Sequence, residues 1–100
     1  DKQYKKILLY DILFLESMDN YVIIYMPDSK EIVHSTLKSI MDSLPDNYFL
    51  QVHRSYVVNL KHIRSIDGNK LLVDSHKVTV ARNLREEVYK AILNNRLISK

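Results

Sequence analysis

Apolar residues in the first third of the chain come in short runs broken by single polar residues. "ILLY" (7–10) and "DILFLES" (11–17) are split by Asp11, and "YVIIYM" (21–26) is rich in the β-branched and aromatic residues that suit a pleated surface. These three runs predict strands. Pro27, Asp28 and Ser29 then supply a turn, and "EIVH" (31–34) returns as a strand, so a hairpin is expected there. The period changes in "STLKSIMDSL": Leu37, Ile40, Met41 and Leu44 recur at helical spacing, with Ser35 or Thr36 as N-cap and Pro45 as stop. From Phe49 the strand signal resumes in "FLQVHRSYVVNLKHI" (49–63), which begins and ends as a strand but carries His53, Arg54, Ser55, Asn59, Lys61 and His62. Val52, Tyr56, Val57, Val58, Leu60 and Ile63 are its expected core residues.

Asp67-Gly68-Asn69 and Asp74-Ser75-His76 mark the turns of two further hairpins, and the alternation in "KVTV" (77–80) predicts a strand with one wet face. Asn83 followed by Glu86 three residues on is a capping arrangement. Leu84, Val88, Ala91 and Ile92 then make the apolar stripe of a closing helix. The pattern predicts a mainly β protein with two short helices.

One hundred residues at 46% hydrophobic content fit a single compact domain. With no cysteine, neither a disulfide framework nor a thiolate zinc site is available. No apolar run approaches the ~18 residues of a membrane span, and "DKQYKK" lacks the pattern of a signal peptide, so a cytoplasmic protein without membrane contact is expected. Residues 1–6 read as the remnant of a linker from a larger protein, 7–95 as the domain and 96–100 as a C-terminal tail.

The net charge of +3 is unevenly distributed. Residues 1–50 hold five Lys or Arg against eight Asp or Glu, whereas residues 51–100 hold ten against four. Such asymmetry favours an anionic partner. Nucleic acid is one candidate; an acidic protein surface engaged by the basic edge is the alternative.

Enzymatic chemistry finds little support. Among His34, His53, His62 and His76 no pair has the i, i+4 spacing of a helical zinc site, so no metal is expected. Ser55 lies two residues from His53, but no third orienting group or oxyanion donor accompanies them. One glycine in the chain leaves no room for a glycine-rich phosphate loop. No catalytic residue and no cofactor are assigned.

The residues instead resemble a recognition module. "ILFLESMDNYVIIY", "STLKSIMDSLPDNYFLQVHRSYVVNLKHIRSI" and "VTVARNLREEV" look like successive blocks of the LytTR DNA-binding domain, the output module of many bacterial response regulators. "FLQVHRSYVVNLKHI" is the most specific part, matching the family's Phe-X-X-X-His-Arg-Ser-Tyr-X-Val-Asn block at every fixed position. The resemblance implies an elongated arrangement of small, mostly antiparallel sheets with two short helices. It implies sequence-specific binding of double-stranded DNA by loops in major grooves, without a recognition helix, and transcriptional regulation within a two-component system. Members typically read paired direct repeats in promoters. An isolated domain is then expected to be a monomer, and the full-length protein to dimerise on DNA.

Carried over residue by residue, the family's base-reading positions correspond to Asn20, Tyr21, Arg54 and Arg82. A planar guanidinium fits guanine O6 and N7 together, which suits Arg54 and Arg82. Asn20-Tyr21 stands where certain members carry a histidine, and Tyr21 has a second reading as a core residue. Asp19 beside them would repel phosphate and is expected to face elsewhere. Lys38, His53, Ser55, Asn59, Lys61 and Asn83 are candidates for DNA-backbone contacts, which position a protein without reading sequence. Three of these have a structural alternative: His53 as a satisfied structural histidine, Asn59 as a turn former and Asn83 as a helix cap.

Overall fold

A computed structural model of the chain describes residues 4–45 and 47–94. Strands β1 (Phe14–Met18), β2 (Tyr21–Tyr25) and β3 (Lys30–His34) form an antiparallel meander, followed by helix α1 (Leu37–Met41). Thr36 is the α1 N-cap, its Oγ1 accepting the Ser39 N–H at 3.1 Å. Strands β4 (Phe49–His53) and β5 (Tyr56–Asn59) follow as a second hairpin, and β5 pairs with β1, giving a five-stranded sheet in the order β3-β2-β1-β5-β4. β6 (Ile63–Asp67), β7 (Lys70–Val73) and β8 (His76–Thr79) form a separate three-stranded meander, and α2 (Arg85–Asn94) closes the described chain. The molecule is elongated, 50 × 24 × 22 Å.

The larger sheet is buried on both faces, and the sequence shows why: consecutive residues of its central strands are both apolar. Leu15 and Val57 point to one face, where they join Ile12, Val22, Ile24 and Phe49 beneath Leu37 of α1. Phe14 and Val58 point to the other, packing with Ile63, Leu71, Val73 and Val78 of the small sheet and with Val88 and Ile92 of α2. At roughly 1.5–3 kcal/mol per buried aliphatic side chain, these two interfaces dominate folding.

Asn59 is the buried polar residue among them, 1% exposed. Its Nδ2 donates to the Ile12 carbonyl at 2.8 Å and its Oδ1 accepts the Lys61 N–H at 2.9 Å. A buried amide is tolerated when so satisfied.

Four local expectations are corrected. Ile7–Tyr10 is not a strand: both edges of β1 are occupied by β2 and β5, so the segment finds no pairing partner and ends in a 3₁₀ turn at Leu9–Asp11. Residues 49–63 are not one continuous strand but two, reversing at Arg54-Ser55, with a β-bulge between Gln51 and His53. Asn83 does not cap α2; it lies inside a 3₁₀ turn, Arg82–Leu84, that leads straight into the helix and has Ala81 as its own N-cap. α1 ends at Met41, before the Pro45 stop. Of the expected linker, Tyr4–Lys6 are exposed and without regular structure, and Lys5 pairs with Glu31 at 2.7 Å. The expected tail, 96–100, lies outside the described residues.

Candidate nucleic-acid interface

Three turns meet at one end of the five-stranded sheet because of its strand order. The β1–β2 turn, Asp19-Asn20, and the β4–β5 turn, Arg54-Ser55, leave the sheet in the same direction, since β1 and β5 are adjacent and antiparallel. The Ser17 N–H donates to the Ser55 carbonyl at 2.8 Å, tying the second turn to the first. Beyond edge strand β4, the Ala81 N–H donates to the Val52 carbonyl at 2.8 Å. Val52 lies within the bulge, where the ladder is interrupted and a carbonyl is free to bond outside it. Arg82 follows directly, beside the second turn. At about 4.8 Å per strand, the row from Asn20 to Arg82 spans roughly 15–20 Å along the sheet end.

Asn20, Arg54 and Arg82 are all exposed in this row. Tyr21 is 47% exposed and lies against the His34 ring, centroids 5.2 Å apart, so its core alternative is excluded. Asp19 shares the same turn and is exposed. Its φ of 53° explains its presence, because Asp is among the few residues besides Gly that adopt the left-handed region readily.

His53 and Ser55 meet through backbone: the Ser55 N–H donates to His53 Nδ1 at 3.1 Å. The Ser55 hydroxyl is not part of this bond, and no nucleophile–base pair is formed. Asn83 is exposed next to Arg82. Lys38 is exposed on the first turn of α1, which begins just after β3 ends opposite Tyr21. Its Nζ lies 3.6 Å from Asp42, an exposed pair worth little.

Two expected contact residues fall outside the row. Asn59 is buried with its side-chain amide engaged within the domain, leaving it nothing to offer a phosphate. Lys61 is exposed but lies past the other end of β5, its ammonium 5.0 Å from the centre of the Tyr48 ring. Ser17 and Ala81, which sequence patterns did not single out, and Val52, expected only in the core, hold the turns through main-chain groups, which carry no side-chain signal.

The surroundings limit the chemistry. Tyr25 donates to Glu16 at 2.8 Å, and its hydroxyl is pushed up to about 12 by burial and then by that bond. Tyr56 is raised by the same causes, burial first and then the Glu16 carboxylate. Both phenols therefore stay protonated at neutral pH around Glu16. Among the described residues no group of His, Asp and Glu is arranged to hold a metal ion. Nor is any helix among them long and apolar enough to cross a membrane. The helices are small: α1 has five residues, and α2 buries Val88 and Ile92 while exposing Glu86, Glu87 and Lys90.

A β domain that presents exposed arginines and an amide on a row of turns, with its helices turned to the core, has the build of a loop-reading nucleic-acid-binding domain. The chain belongs to the LytTr DNA-binding domain family, whose profile matches residues 2–93. It is 33% identical over 88 residues to the sensory transduction protein LytT of Bacillus subtilis (strain 168) and 28% identical to that of Bacillus anthracis. Each match covers 82% of this chain and 36% of the relative, so the chain spans little more than a third of their length. A solved structure described as the LytTr DNA-binding domain of a methyl-accepting/DNA response regulator from Bacillus cereus superposes with a TM-score of 0.74. That comparison covers 83% of this chain and 82% of the other at 22% identity, and it shows the shared fold.

Proposed function

We propose that the row of turns reads double-stranded DNA, with Arg54 and Arg82 contacting base edges and Asn20-Tyr21 completing the reading set. The observation that carries this reading is the alignment of three exposed segments, distant in sequence, by two backbone hydrogen bonds to the β4–β5 hairpin. Arginine in a groove pairs bidentately with guanine, whereas Lys38, Asn83 and the turn's own N–H groups suit phosphate. The domain acts by binding, not by catalysis.

The larger protein is a cytoplasmic response regulator with this domain as its transcriptional output, a reading supported by the sensory transduction relatives. Two copies read paired direct repeats in a promoter. Brought together by the rest of the protein, each raises the effective concentration of the other, although the isolated domain is a monomer.

Selection of duplexes from a random pool with this chain, followed by a salt titration on the enriched sequence, tests the assignment. An enriched motif is expected, with affinity that falls steeply as salt rises because each neutralised phosphate releases counterions. A flat salt response, or equal competition by an acidic polypeptide at matched charge, would instead favour a protein-interaction surface.

A further inference from the structure

We propose that His53 is a positioning residue: its ring shapes the Arg54-Ser55 turn so that Arg54 is presented to DNA, and it makes no DNA contact of its own. The proposal rests on the DNA-reading assignment above. Nδ1 accepts the Ser55 N–H two residues ahead, across the turn that carries Arg54. An accepting ring nitrogen bears no proton, so in the neutral ring the hydrogen sits on Nε2. The ring is half-buried and packs against Tyr56, centroids 5.2 Å apart, which fixes its plane from the far side of the turn. Gln51 Nε2 donates to the His53 carbonyl at 3.3 Å, holding the same residue by its backbone.

The arrangement does for this turn what an Asn or Asp side chain does in an Asx turn, where a side-chain acceptor takes the N–H two residues on. Its consequence reaches all three reading segments. The Ser55 N–H is fixed by the histidine while the Ser55 carbonyl receives Ser17, and the preceding Val52 carbonyl receives Ala81. A turn that relaxed at His53 would therefore loosen its neighbours as well as Arg54.

Two conservative replacements separate positioning from contact. The Oδ1 of Asn sits close to where Nδ1 of His lies and can accept the Ser55 N–H, whereas the amide nitrogen of Gln reaches the position of Nε2 and mimics an outward donor. The probes are duplexes enriched from a random pool by the wild-type chain and the unselected pool itself, with circular dichroism confirming that each variant is folded. His53→Asn is expected to keep its affinity for the enriched duplex within about threefold, and His53→Gln to lose about tenfold. In an Arg54→Ala background the His53→Gln loss should largely vanish, because the ring acts through the arginine.

Retention by Gln with loss by Asn would place Nε2 on the DNA and overturn the proposal, as would equal effects of the two. Should either variant fail to fold, the imidazole ¹⁵N spectrum of the wild-type chain decides. Hydrogen on Nε2 with a bare Nδ1, and an Nε2–H resonance left unshifted by the enriched duplex, supports positioning; the opposite tautomer, or an Nε2–H resonance shifted by the duplex in an Arg54→Ala chain that still binds it, refutes it. A wild-type chain that enriches no sequence defeats the DNA-reading assignment, and the positioning role with it, before any variant is made.

Discussion

Ser17 and Ser55, thirty-eight positions apart in the sequence, are joined by a main-chain hydrogen bond of 2.8 Å from the Ser17 N–H to the Ser55 carbonyl. The bond extends the β1–β5 ladder by one step past Glu16 and Tyr56 and makes neighbours of two hairpin turns. Asn20 and Arg54 are thus related through a backbone bond that uses neither serine side chain.

Reading and holding separate in the arginines. Arg54→Ala and Arg82→Ala should each cost about 1–3 kcal/mol on an enriched duplex and much less on random DNA. Binding isotherms on both DNAs measure the ratio, and folded variants that keep the full ratio would move the readers elsewhere.

Asn59 and Lys61 should behave as residues outside the interface. Asn59→Ala should destabilise the domain by about 1–3 kcal/mol in urea unfolding, since the Ile12 carbonyl loses a buried partner. Lys61→Ala should leave duplex affinity within about twofold and the salt slope unchanged, as no phosphate contact is lost. A slope lower by about one unit would return Lys61 to the interface.

Asp19 places a negative charge in the β1–β2 turn beside the proposed base-reading residues, in a left-handed backbone conformation. Asp19→Asn should raise affinity for enriched and random duplexes alike, most at low salt, because Asn also adopts a φ near 53° and removes the charge. Asp19→Ala should instead lower the melting temperature, through about 1 kcal/mol of strain in the left-handed region. An Asn variant with unchanged affinity at low salt would show that the carboxylate faces away from DNA.

Alkaline stability should report on Tyr25. Its hydroxyl, raised from 10.0 to about 12, stabilises the folded state while it remains protonated. That contribution is complete below pH 10 and is lost as pH rises through about 12. Tyr25→Phe should cost about 1–2 kcal/mol at pH 8, and the gap to the wild type should narrow between pH 10 and 12. A gap constant across that range would mean that burial and the Glu16 bond do not raise the Tyr25 hydroxyl.

Local pattern determined which residues want a pleat and which a helix. The β-branched run at 21–25, the turn after Met26, the Thr36 cap and the alternation at 77–80 each depend on neighbours a few residues away, and each became the element it predicts. The block at 49–59 likewise carried the family resemblance in contiguous residues. Tertiary structure alone decided the rest. Periodicity assigns a face to a side chain but no partner to a strand, so nothing local reveals that β5 inserts beside β1 and leaves Ile7–Tyr10 without an edge. Nor does it reveal that Asn59 goes inward to serve the Ile12 carbonyl while Asp19 stays exposed in the β1–β2 turn. The alignment of Asn20, Arg54 and Arg82 exists only once long-range burial on both faces of the sheet has fixed strand order and register, because the bonds that hold it join main-chain groups common to every residue type.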